Sequence, residues 1–127
     1  MARRNPKGIP MPRLAALKLL FAAILAGMLG VTAWASWHQP VWHWGGLVTA
    51  PDRGWTIATL CDAYAGFVTF YAWVFYKERT GGRIGWFIAI MALGNIAMST
   101  YVLKELARLA PSDGIERLLV RRAGEAR

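Results

Sequence analysis

Three side chains set inside long apolar runs could do chemistry: Asp62, Asn95 and Ser99. A carboxylate in a low-dielectric medium is the group that carries protons or holds an ion. A relay needs a second titratable group at similar depth, and the apolar runs supply none. Asp62 therefore reads first as a structural residue. At the centre of a membrane helix an aspartate costs ~2.5–3.5 kcal/mol on insertion scales, and a polar partner reduces that. Counting along two antiparallel helices sets Asp62 level with Met98 and Ser99 and one turn from Asn95. The expectation is a hydrogen bond from Ser99 or Asn95 to Asp62, in an intramembrane polar cluster.

His38 and His43 are the other candidates, because histidine is the commonest metal ligand. They lie five residues apart in a proline-interrupted stretch with no thiol or acid beside them, which favours interfacial histidines over a metal or haem site. Tyr64, Phe67, Phe70, Tyr71, Trp73 and Phe75 could line a quinone or pigment pocket, although aromatics on a membrane helix more often face lipid. Cys61 is the one cysteine, so neither an intrachain disulfide nor a thiolate metal site can form. Phosphate-binding glycine loops, nucleophile elbows and zinc-protease helices are missing from the sequence. The expectation is a protein that is not an enzyme and has no metal or cofactor.

The elements that would position these residues are membrane helices. Of the 127 residues, 56% are hydrophobic and only 17% charged, against about 45–50% and 25% in soluble domains. The charges gather at the two ends and near residue 80. Residues 1–13 hold three prolines and four basic residues and read as a disordered basic tail. The first span runs over about 14–37, with Lys18 one turn inside and able to snorkel. A basic start, an apolar run and Ala33-Trp34-Ala35 also resemble a signal peptide. The run exceeds the usual ~7–15 apolar residues of such a signal, which favours a retained helix. Residues 37–55 hold Trp37, Trp42, Trp44 and Trp55 among turn residues and read as a loop at the membrane interface. The second span is 56–76, a tight basic turn follows, and the third span, 84–103, contains no charge. Residues 109–127 form a polar tail in which Asp113 could cap a short amphipathic helix carrying Ile115, Leu118 and Leu119. The predicted fold is all-α: a three-helix membrane bundle with residues 14–108 as its domain.

The net charge of +8 flanks the apolar segments instead of lining one face, so anionic lipid headgroups, not nucleic acid, are the expected counterpart. Five Lys/Arg precede or enter the first span, and Lys77, Arg79 and Arg83 sit in the basic turn. The positive-inside rule then makes the N-terminus cytoplasmic. Three crossings leave a conflict, because the C-terminus falls outside with six Lys/Arg.

Small residues mark helix contacts in lipid, since backbones can approach there. Ala15, Ala22, Ala26, Gly30 and Ala33 form one such stripe. Ala58, Asp62, Ala65, Gly66 and Thr69 form a second, and Gly85, Ala92, Asn95 and Ser99 a third. These are expected inward. The bulky stripe Leu60, Tyr64, Phe67, Tyr71 and Val74 is expected to face lipid or a partner.

The segments GMLGVTAWAS (27–36), TIATLCDAYAGFVTFYAWVFYKE (56–78) and AIMALGNIAMSTYVL (89–103) resemble a family of small uncharacterised membrane proteins of bacteria and plants. The resemblance covers nearly all of residues 14–108 and is most specific over Asp62 to Tyr71; Cys61 departs from the pattern. It implies a multi-span membrane protein and carries over no activity and no functional residues. The expected function is a non-enzymatic accessory or structural component of the bacterial inner membrane that binds lipids and other membrane proteins through the bulky stripe and the Trp-rich loop. The alternatives are a small transporter or channel subunit using Asp62 and Asn95, and a pigment-, haem- or quinone-binding subunit using His38 or His43.

Overall fold

The computed structural model describes residues 11–43 and 53–121, and the described residues form helices joined by short turns and bends, with no strand among them. Helix α1 spans Met11–His38, with a single 3-10 turn at Val41–His43 after it. Pro12 falls in the first turn, where its missing N–H has no helical acceptor to lose. Helix α1 therefore starts inside the segment read as a tail; residues 1–10, and 44–52 of the Trp-rich loop, lie outside the described residues. Helix α2 spans Arg53–Lys77. Leu14–His38 and Thr56–Lys77 are both long and apolar enough to cross a membrane.

The third predicted span is not one helix. It is split at Gly94 into α3, Thr80–Leu93, and α4, Asn95–Ala107. Gly94 has φ +53° and ψ −124°, a conformation open to glycine and closed to ordinary L-residues. The chain reverses there. Trp86 and Tyr101 have ring centroids 4.9 Å apart, whereas fifteen residues of continuous helix would separate them by about 22 Å. The reversal stays hydrogen-bonded, because the Gly94 N–H donates to the Ile90 carbonyl (2.8 Å) and its carbonyl accepts from Met98 N–H (3.0 Å). The Phe67 ring of α2 fills the space beside it. A Cβ on Gly94 would sit 2.6 Å from Phe67 Cζ.

Two small cores hold the helices together. One joins Leu14, Val102, Leu106 and Leu118, with Leu17, Phe21, Phe70, Trp73 and Leu109 around them. The other joins Val74, Ile90, Ala97 and Tyr101. The Tyr101 ring meets Phe70, Trp73 and Trp86 edge-on, the arrangement that aromatic quadrupoles prefer. Helix α1 contributes Leu14, Leu17 and Phe21, one face at three- and four-residue spacing, and packs chiefly on α4.

The predicted faces are reversed. Ala15, Ala22, Ala26, Gly30 and Ala33 are exposed on α1, and Ala58, Asp62, Ala65, Gly66 and Thr69 are exposed on α2. Of the third stripe only Ser99 is buried. The bulky stripe of α2 turns inward instead: Val74 is fully buried, and Phe67 and Tyr71 pack around the second core. The reason lies in the hairpin. Its arms are reached by long side chains, with Tyr64 Oη donating to the Met91 carbonyl (3.3 Å) and Tyr71 Oη to the Arg83 carbonyl (2.9 Å).

After α4 the chain turns at Pro111 and makes a four-residue helix, α5, Glu116–Leu119. Asp113 does not cap it. Its carboxylate accepts from Ala110 N–H (2.8 Å) and pairs with Arg117 (3.0 Å). Leu118 enters the first core, Ile115 and Leu119 are exposed, and Trp73 Nε1 donates to the Leu119 carbonyl (3.1 Å).

Candidate functional site

The polar groups of the described chain divide into a closed network and an open face. The network lies where α2 ends and the hairpin begins and ends. Lys77 Nζ donates to Glu105 Oε2 at 2.6 Å and to the Leu118 carbonyl at 2.5 Å. Both charged side chains are about 95% buried. Taking such charges out of water costs several kcal/mol per ion, and only close pairing with further hydrogen bonds offsets it. Here Arg108 adds a contact to Glu105 at 3.2 Å and Lys104 one at 3.6 Å. Burial alone would push the Glu105 carboxyl up. The Lys77 hydrogen bond and the charges of Lys77, Lys104 and Arg108 outweigh that and hold it below the usual carboxylate range.

Lys104 also pairs with Glu78 at 2.8 Å and lies 4.6 Å from the Tyr101 ring centroid and 5.1 Å from that of Trp86. Arg83 Nε donates to the Phe75 carbonyl (2.8 Å), and its guanidinium stands 4.1 Å from the Phe75 ring centroid. Each cation is bound to a carboxylate, a carbonyl or a ring face. These pairs clamp α2, both hairpin arms and the C-terminal turn together. The sequence places Lys77 in the basic turn and Lys104 and Glu105 just past the third predicted span. The pairing joins residues 28 positions apart, and no local pattern announces it. The one available sign was that Glu105 adjoins Leu106 and stands one turn after Val102 on an apolar face.

The open face holds Asp62. The structure does not bring the predicted cluster together: Asp62 is exposed on α2, Asn95 is exposed at the hairpin tip, and Ser99 is buried. No hydrogen bond joins Asp62 to either of them. Helical hydroxyls solve this problem locally, as Thr69 does by donating to the Ala65 carbonyl (2.9 Å) and Thr100 to the Ile96 carbonyl (2.7 Å). Asp62 makes no such bond with its own helix. Its neighbours Ala58, Ala65 and Gly66 leave the helix surface low, and a Cβ on Gly66 would meet nothing within 4 Å. Cys61 beside it is exposed.

The histidines sit apart from any such group. His38 Nδ1 lies 2.9 Å from the Trp34 carbonyl, and its ring centroid lies 4.7 Å from that of Trp34 with the planes tilted by 43°. His43 meets Trp42 edge-on. Among the described residues, no three His, Cys, Asp or Glu side chains converge as a metal site. The groove beside His38 is lined, among those residues, by α1 and Gln39 just after it. The aromatics Tyr64 to Phe75 are engaged with one another and with α3 and α4.

No characterised protein and no solved structure matches the chain. A family model described as a protein of unknown function (DUF1475) matches residues 12–126, which takes in all five helices apart from the first residue of α1. The chain therefore belongs to the DUF1475 family.

Proposed function

We propose that this protein is a multi-pass component of the bacterial inner membrane, with its N-terminus cytoplasmic. In this reading it acts without catalysis, as an accessory subunit that binds another membrane protein through the Asp62 face of α2. The observation that carries the reading is the unpaired carboxylate on an exposed, small-residue face of an apolar helix long enough to cross a bilayer. In lipid that carboxylate is stable beside a basic or hydrogen-bond-donating side chain. The low surface made by Ala58, Ala65 and Gly66 lets a second helix approach closely enough to supply one.

Membrane insertion is supported by more than length. Only 6% of the apolar window of each long helix is buried, whereas the apolar core helix of a water-soluble protein is mostly buried. Leu19, Val31, Trp34, Val68, Ile84, Ile88 and Leu93 are each more than half exposed, and such a belt suits acyl chains. The contacts of Leu14, Leu17 and Phe21 with α4 and Leu118 favour a retained first helix over a cleaved signal, because the first core would lose one wall without them. Anionic headgroups answer the basic flanks.

The test is co-purification in mild detergent. The expected result is a stoichiometric membrane partner whose recovery drops at least tenfold in Asp62→Leu and in Gly66→Leu, with both variants still folded. Recovery of the same partner at unchanged stoichiometry with Asp62→Leu would remove this face from the interface. Cys61 separates a second copy from a different chain. Oxidative crosslinking into a disulfide dimer would replace the foreign partner by another copy.

A further inference from the structure

The geometry points to α3 and α4 as a re-entrant hairpin, one that enters and leaves the bilayer through the same face. The N-terminus, the turn after α2 and the C-terminal segment then share one side of the membrane. This rests on the membrane placement proposed above and goes beyond it, because a membrane protein with α1 and α2 inserted could equally carry a third crossing.

The first support is length. Helices α3 and α4 have 14 and 13 residues, about 21 and 20 Å at 1.5 Å per residue. The hydrocarbon core is ~30 Å thick, so neither arm crosses it. The second support is the tip. Gly94 packs against Phe67, the fifteenth of the 25 residues of α2. The hairpin thus turns back near the middle of the helix beside it. The apolar side chains of its outer surface, Ile84, Phe87, Ile88 and Leu93, are exposed, as an element immersed in acyl chains needs.

The third support is the backbone. A chain that breaks its helix inside hydrocarbon must still satisfy its N–H and C=O groups. At Gly94 both are hydrogen-bonded, to Ile90 and Met98, so the break leaves its central residue without an orphan donor or acceptor.

The fourth support is the base. Lys77–Glu105 and Glu78–Lys104 join the end of α2 to the end of α4, and Leu14, in the first turns of α1, packs against Leu106 and Leu118. The start of α1 and the ends of α2 and α4 are therefore at one level. Among the Lys and Arg of the described residues, Arg53 alone belongs to the opposite end. Three crossings would move Lys104, Arg108, Arg117, Arg121, Arg122 and Arg127 away from the other basic residues, against the positive-inside rule. The hairpin removes that conflict.

The test uses the full chain with Cys61→Ser and one added cysteine, at Asn5→Cys, Thr49→Cys or Ala123→Cys. Each is treated with a membrane-impermeant maleimide, in intact spheroplasts and in inverted vesicles washed with alkaline carbonate. The expected result is that Asn5→Cys and Ala123→Cys label in inverted vesicles and lose labelling in spheroplasts, with Thr49→Cys doing the reverse. Carbonate retention with Ala123→Cys labelling on the side of Thr49→Cys would overturn the hairpin and leave the membrane placement standing. Release of the protein by carbonate would overturn both.

Discussion

Replacing Gly94 by alanine tests the chain reversal most directly, because two readings of the same residue predict opposite signs. In a continuous helix, glycine is destabilising by about 0.5–1 kcal/mol relative to alanine, so Gly94→Ala would stabilise. At φ +53° and ψ −124°, an alanine is held in a sparsely populated backbone region, which costs of order 1–3 kcal/mol. Its Cβ also meets Phe67 Cζ at 2.6 Å, and overpacking of that kind costs typically 1–3 kcal/mol. Together these amount to a loss of roughly 2–6 kcal/mol. A double-mutant cycle separates the two. In a Phe67→Leu background the ring is gone and the backbone conformation stays, so Gly94→Ala should cost only the backbone part there. The assay is reversible unfolding in mixed detergent micelles, followed by helical circular dichroism and tryptophan fluorescence. Stabilisation by Gly94→Ala, or a change below about 0.5 kcal/mol in both backgrounds, would refute the reversal.

Other outcomes follow from the clamp and the C-terminal turn. Glu105→Leu leaves Lys77 buried with no carboxylate, only the Leu118 carbonyl and the Trp73 ring face, and should destabilise by about 3–5 kcal/mol. Lys77→Leu should cost less, because Glu105 keeps Arg108 and Lys104 beside it; the same unfolding assay ranks the two. The depressed Glu105 carboxyl contributes stability above its ordinary value of about 4.3, and that contribution is lost as pH falls through its lower folded value. Stability should therefore be flat on this account from pH 7 to 5 and fall below about 4, and Glu105→Gln should blunt the acid limb in a pH series. Leu118→Ala opens a gap in the first core and should cost about 2–5 kcal/mol. Trp73→Phe, which removes the donor to the solvent-accessible Leu119 carbonyl, should cost about 0.5–1.5 kcal/mol; thermal unfolding reads both.

Much of this architecture is legible in the sequence, and what is hidden has a physical cause. Helices α1 and α2 announce themselves by long apolar runs that end close to where the structure ends them. The turn after Lys77 is marked by charge and paired glycines, and the break after α4 by Pro111. The hairpin is not marked. Gly94 stands in an apolar run with no charge or proline beside it, and a lone glycine in a helical pattern is ordinarily tolerated. Only the Phe67 ring, 27 residues earlier, shows why glycine is required there. Missing the reversal also inverted the faces. Small residues indicate contact when helices meet along their length, and with the third helix folded back, α2 reaches its neighbours through Tyr64, Phe67 and Tyr71 instead. Asp62 was visible as an anomaly. Its expected partners were not, because the register that set it beside Ser99 assumed a straight third helix.

The clamp at Lys77 also bears on the order in which the molecule is made. Its two acceptors are Glu105 and the carbonyl of Leu118, which follow it by 28 and 41 residues. During synthesis the lysine is complete while both acceptors have yet to be joined to the chain. Until they arrive its ammonium is a solvated cation at the end of an apolar helix, the kind of charge that holds a helix end on the side where it was made. Afterwards the same ammonium is about 95% buried. In the membrane placement proposed above, one side chain acts first as an anchor for the nascent chain and later as the bolt of the finished fold, and that fold cannot close until residue 118 has emerged from the ribosome.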